Sequence, residues 1–252
     1  FAGRRVTALD GHDGKQLWSQ QVGYRVRPLI IGDTLHAEPW AFDLRTGEAQ
    51  KRAHPVTGEE ERWQFARPGH HCGAPSASPH MLFFRSWNLG YYDLDGDYGT
   101  MHFGAQRPGC WINAIPASGL VVIPEASAGC VCMFSIASTI VMEPREARRP
   151  WSLYSGVGAT TPVRQMSLNF GAPGDRREKQ GKLWLAYPRP TPNPSLETSL
   201  DLKLQFETEF QPGGGFFTGD GDASERSTSE WAWIVSSGAR GLKRLVLPLR
   251  GA

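Results

Sequence analysis

"ALDGHDGKQLW" (residues 8–18) and "AFDLRTGEAQK" (residues 41–51) share one spacing, Ala-x-Asp-x-x-x-Gly, and the repetition decides how the rest of the chain reads. In each copy an aspartate, Asp10 or Asp43, stands four residues before a glycine, Gly14 or Gly47. Aspartate caps the turn that follows it through its side chain, and glycine accepts the positive φ that closes the turn. The spacing therefore predicts a tight hairpin turn between two strands at both places. "YYDLDGDYG" (residues 91–99) reads as a third, decayed copy. Spaced β-hairpin repeats of this kind indicate radial or solenoid repetition.

Outward from the two turns, short apolar or alternating runs recur between turn residues: "RRVTAL", "RPLIIG", "WAFDL", "HMLFFRS", "GLVVIPE" and "STIVME". Glycine (29) and proline (19) are plentiful and scattered, and long helical periodicity is almost absent, which predicts an all-β chain. After Pro150 the texture changes. "MSLNFGAPGD", "GKLWLAYP", "LDLKLQFETEF" and "EWAWIVSSGARGLKRLVLPL" are longer alternating stretches, separated by "PRPTPNPS" and "QPGGG". Two units follow: residues 1–150, short hairpin repeats, and residues 151–252, a β-sandwich-like segment.

At 252 residues the chain suits one large β-domain or two ordinary ones, and either buries a sizeable core without staples. Its 27 basic and 25 acidic residues leave a formal charge of +2, too even a balance for a nucleic-acid partner. The densest basic run, "EPREARRP" (143–150), is diluted by Glu143 and Glu146 and reads as a solvated linker. No apolar run approaches the roughly 18 residues of a membrane span. The chain opens on Phe1 inside a structural pattern with no signal peptide, so it is expected to be a fragment or processed product of something longer.

The pattern Ala-x-Asp-x-x-Thr-Gly-x-x-x-Trp resembles the tryptophan-docking motif of quinoprotein-like β-propellers. Ala8, Asp10, Gly14 and Trp18 match it, with Asp13 in place of the threonine; Ala41, Asp43, Thr46 and Gly47 match it, with Lys51 in place of the tryptophan. The ring of Trp18 is expected to pack on the neighbouring repeat. The stretch from "GHHCG" through "RPGCWINAIPASGLVVIPEASAGCVC" also looks like the C-terminal part of large secreted bacterial propeller proteins. The resemblance covers about residues 4–145 and implies a partial β-propeller of about three blades, with the remaining blades supplied by another part of the protein or another chain. The later segment is loosely similar to the region beside malectin-like carbohydrate-binding modules. A secreted or periplasmic location follows from the same resemblance. The propeller serves dehydrogenases and non-catalytic scaffolds alike, so the fold does not choose between them.

In a secreted chain the four cysteines, Cys72, Cys110, Cys130 and Cys132, form an even set suited to disulfides. Cys130 and Cys132 sit on one alternating run and point to opposite faces if it is a regular strand, so each takes its own partner from Cys72 and Cys110. The alternatives are free buried thiols or a copper or zinc site that adds His70 or His71. Consecutive side chains diverge on extended backbone, so only one of these histidines easily faces Cys72. "DLDGDYG" places Asp93, Asp95 and Asp97 in a calcium-like spacing, but the positions that need glycine and glutamate hold Tyr98 and Gly104, which favours an acidic turn. Gly-x-Ser-x-Gly, a phosphate loop and Cys-x-x-Cys-His are all absent, and so are adjacent cysteines, which counts against pyrroloquinoline quinone. The function expected is a non-catalytic binding or scaffold role without cofactor, toward cell-surface polysaccharide or protein. The competing class is a quinone- or copper-dependent oxidoreductase of which this chain is a part.

Overall fold

The computed structural model describes residues 4–65, 67–96, 99–104, 106–125, 129–130, 138–145, 151–154, 162–189, 206–219 and 231–247. Cys132 and Asp97 lie outside them. The described residues hold nineteen β-strands and one single-turn helix, so the chain is all-β in class. Strands β1 (Arg5–Leu9) and β2 (Gln16–Gln21) form a hairpin, and β3 (Leu29–Ile31), β4 (Thr34–Ala37) and β5 (Trp40–Asp43) an antiparallel meander. The hairpin of β6 (Lys51–Ala53) and β7 (Glu60–Arg62) is bridged to β5 through Phe42–Ala49 and Trp40–Gln64. A four-stranded meander follows, β8 (Ser76–Ala77), β9 (Met81–Ser86), β10 (Asn88–Asp93) and β11 (Thr100–Phe103), then a three-stranded one, β12 (Ile115–Ala117), β13 (Leu120–Ile123) and β14 (Ile140–Met142).

Both predicted turns are hairpin turns. The Gly14 N–H donates to the Asp10 carbonyl at 2.8 Å and the Gly47 N–H to the Asp43 carbonyl at 2.9 Å. Asp10 Oδ1 accepts from His12 N at 2.8 Å, while Asp43 Oδ1 accepts from Arg45 N and Thr46 N at 2.9 and 2.7 Å. The Thr46 N–H foremost holds the Asp43 carboxyl below its ordinary value. A further copy of this turn carries no aspartate. Gly58 N donates to the His54 carbonyl at 2.9 Å, and His54 Nδ1 accepts from Val56 N and Thr57 N at 3.2 and 3.1 Å. An imidazole nitrogen here does the work of a carboxylate oxygen.

Trp18 leaves its own hairpin and lies on the next turn. Its Nε1 donates to the Leu44 carbonyl at 2.9 Å, and Gln20 Nε2 donates to the Gly47 carbonyl at 2.7 Å. A Cβ on Gly47 would stand 2.7 Å from an indole carbon, so this glycine serves both the positive φ and the docked ring.

The sheets of the first part stack through apolar faces. Val22, Leu35, Ala37 and Phe42 join the first hairpin to the β3–β5 meander, with Val6 and Trp18 packed on them. Phe65, Leu82, Phe84 and Tyr92, with Leu29 and Ile31, join that meander to β8–β11, and Phe83, Leu89, Ala114 and Ile123 join β8–β11 to β12–β14. Strand β9 therefore buries both faces, Leu82 and Phe84 on one and Phe83 on the other. This is why it reads as the unbroken run "MLFF" rather than as an alternation.

Beyond residue 150, strand pairing continues from the first part. Thr100 and Leu153 exchange backbone hydrogen bonds at 2.9 and 2.8 Å, and Ser152 and Asp175 do so at 2.9 and 2.6 Å. Next, β15 (Ser167–Phe170) runs parallel to β17 (Leu183–Tyr187), whose other edge takes β16 (Arg176–Arg177) antiparallel. The fully buried Asp175 accepts from Tyr154 N and Ala186 N, each at 2.9 Å, and from Arg189 Nη1, which fastens residues 152–154 to this sheet. A long hairpin, β18 (Glu207–Phe217) and β19 (Gly238–Val246), has the short helix α1 (Ala232–Val235) in its connection.

Candidate functional site

The end of β9 separates two groups of chemically capable side chains. Arg85 and Ser86 are consecutive on the strand, so they leave it on opposite faces. Trp87 then makes a one-residue reversal into β10, with φ at 62° and Ser86 paired to Asn88.

On the Ser86 side lies a cleft of about 250 Å³ lined by Ser86, Trp87, Asn88, His102, Trp151 and Ser152 among others. Ser86 Oγ accepts from Gly69 N at 2.7 Å and meets His102 Nε2 at 2.9 Å. Burial alone pulls the His102 imidazole down to about 4, so it is neutral at pH 7. This serine–histidine contact escapes sequence motifs because its members lie on different strands of one sheet. Ser86 is 1 % exposed and already holds a backbone N–H, which suits a fixed wall of the cleft better than a nucleophile. Trp151 is held from behind by Trp233, its ring centroid 5.8 Å away, and by Arg176, whose guanidinium carbon lies 5.4 Å from the Trp151 ring.

On the Arg85 side lie the cysteines. Cys72, Cys110 and Cys130 stand as thiols rather than in disulfides. Arg85 Nη1 donates to Cys110 Sγ at 3.0 Å, and Cys130 and Cys72 act electrostatically on both groups. Burial pushes the Cys110 thiol up, as does Cys130, and Arg85 opposes them. Gly73 permits this gathering: a Cβ there would stand 2.6 Å from the Cys110 carbonyl oxygen.

The "GHHCG" loop is laced to both sides. The buried pair of Arg67 and Glu38 anchors its start, with Nε–Oε1 at 2.9 Å and Nη2–Oε2 at 2.7 Å, and Arg67 Nη1 reaches the Gly73 carbonyl at 3.0 Å. Trp87 N donates to the His70 carbonyl at 2.8 Å. The two histidines diverge as adjacent side chains should: His70 Nε2 lies 3.7 Å from Cys72 Sγ, while His71 Nδ1 turns to the Gly69 carbonyl at 2.9 Å. Burial foremost lowers the His71 imidazole.

Among the described residues no group of three or more His, Cys, Asp or Glu comes together as a metal would need. Asp93 Oδ1 accepts from Asp95 N and Gly96 N at 2.9 and 3.1 Å, and the Asp95 carboxylate pairs with His80 at 2.8 Å, so both act as turn residues. Also among the described residues, no helix is long and apolar enough to cross a membrane. Neither a family model nor a curated protein matches the chain.

Proposed function

We propose that this chain is a non-catalytic binding module of a secreted protein, built on quinoprotein-like propeller repeats, and that the cleft lined by Trp87 and Trp151 takes a polysaccharide. The observation that carries this reading is the composition of the cleft. Two half-buried tryptophans line it, and Ser86, Asn88, His102 and Ser152 add neutral hydrogen-bonding groups. A sugar ring presents one apolar face and a rim of hydroxyls, and such a lining suits both. The propeller part of the proposal is supported by the docking of Trp18 on the Gly47 turn and by the approach of β3, β8 and β12, the first strands of three successive sheets. Closed propellers use about four to eight blades, so further blades would come from another chain or a longer protein.

Calorimetric titration of the protein with neutral and acidic soluble polysaccharides tests the function. At least one should bind, and Trp151→Ala and Trp87→Ala should each weaken it tenfold or more. Binding that neither variant weakens, or no binding across the panel, overturns the reading. A second reading, an oxidoreductase, draws on the contact of His70 with Cys72. Metal analysis and an absorption spectrum of the purified protein decide it, since stoichiometric copper or a quinone band moves the assignment there.

A further inference from the structure

We infer that Arg85 and Arg107 hold a doubly charged oxyanion of the phosphate or sulfate class where the segment 106–110 crosses the end of β9. The inference does not depend on the polysaccharide reading.

It starts from how this molecule treats an arginine withdrawn from water. A guanidinium keeps its charge inside a protein, so burying one without a counter-charge is costly. Arg67 meets Glu38, Arg52 meets Glu61 and Arg189 meets Asp175, a carboxylate in every case. The half-buried Arg62 and Arg176 lie over the rings of Trp40 and Trp233. Arg85 and Arg107 have neither answer. They are 0 % and 4 % exposed, and among the described residues no carboxylate pairs with either. Arg85 spends Nη1 on Cys110 Sγ at 3.0 Å, a thiol that burial raises above its ordinary value and so leaves uncharged at pH 7. Its Nε and Nη2 are buried without a hydrogen bond, and so are Nε and Nη2 of Arg107.

Two anchors bring the pair to one place. Arg85 and Leu89 are partners across the β9–β10 hairpin. Leu89 N donates to the Gln106 carbonyl at 2.8 Å, and Arg85 Nη1 donates to Cys110 Sγ. The segment 106–110 is therefore pinned at both ends to a single cross-strand pair, and Arg107 follows directly on the first pin. Two cations so placed repel each other and attract negative charge. An anion with two charges balances both, whereas a single carboxylate leaves one over. Its oxygens accept from the Nε and Nη2 edge that each guanidinium leaves open, the forked contact arginine makes with phosphate. Cys110 is half-buried, so the place lies one side chain below solvent.

The experiment uses the full chain, exchanged into chloride and titrated at pH 7 and constant ionic strength with sodium phosphate, sulfate or acetate. Calorimetry and thermal unfolding follow the titration. Phosphate or sulfate should bind once per chain, and acetate at least tenfold more weakly. The melting temperature should rise by about 5 °C at a hundredfold excess over the dissociation constant. Arg85→Gln and Arg107→Gln should each weaken binding tenfold or more, while Lys182→Gln, an exposed cation at a different cleft, should leave it unchanged. Should a glutamine variant not fold, Arg107→Met serves, because it removes an uncompensated buried charge. It should melt at or above the parent in chloride and gain nothing from phosphate. Acetate that binds as well as phosphate overturns the inference, as does an absence of stabilisation beyond matched chloride. Binding that the arginine variants leave intact, binding lost in Lys182→Gln, or an Arg107→Met that melts below the parent in chloride overturns it too.

Discussion

The turns closed by Gly47 and Gly58 have the same backbone and different surroundings. Both glycines have positive φ, 75° and 73°, and in both the residue four places earlier accepts the glycine N–H through its carbonyl and two more N–H groups through its side chain. Over Gly47 lies the Trp18 indole, whereas nothing stands within 4 Å of a Cβ built on Gly58. The turn itself is therefore a local device that aspartate or histidine can supply. What makes one copy a joint between hairpins is a residue from elsewhere in the chain.

Variants can break or sharpen this contrast. Trp18→Ala should cost most, about 3 kcal/mol in denaturant unfolding, because it removes a partly buried ring and its bond to Leu44 together. Gly47→Ala should cost about 2 kcal/mol, from left-handed backbone strain plus the collision with the indole, and Gly58→Ala about 1 kcal/mol from strain alone. In a Trp18→Ala background the Gly47→Ala increment should fall to that of Gly58→Ala. An unchanged increment would show that the ring is not what distinguishes the two turns.

Acid gives a comparable but reversible perturbation of the same stack of sheets. Burial lowers His36, packed edge-on against Trp63, to about 4, and His102 likewise. Between about pH 6.5 and 4 the unfolded chain binds protons that the folded chain refuses, so stability falls as pH falls through that window. Each histidine contributes a slope of order 1 kcal/mol per pH unit. Unfolding curves of His36→Gln should show a shallower acid decline than the parent, and identical slopes would rule His36 out as a cause. The smallest effect is expected at Lys51, the position where the docking motif has tryptophan. Its exposed pair with Glu60 should be removable by Lys51→Ala with no resolved shift in melting temperature.

The hairpins were readable because their determinants are local. Asp10, Gly14, Asp43 and Gly47 fix their turns within five residues, and Trp18 announced a docking partner through its place in the repeat. The His54 turn escaped because a side-chain acceptor, rather than aspartate itself, is what the turn requires. The parallel pairing of β15 with β17 escaped because alternation reports which face a residue takes and not which way its neighbour runs. Of the site, the divergence of His70 and His71 followed from adjacency alone. Arg85, Ser86 and His102 carried no signal, since a fully buried arginine in "FFRS" and a histidine on a neighbouring strand are defined only by pairing across the sheet.

The "GHHCG" loop supplies Gly69 N to Ser86 on the cleft side and Cys72 to the cysteine cluster on the other. Two sites that share a support are thermodynamically linked whenever either ligand state displaces it. Whatever free energy a change at the cysteines passes to the cleft through this loop, a change in the cleft must pass back to the cysteines. One strand thickness of protein would then carry that coupling in both directions and with equal strength.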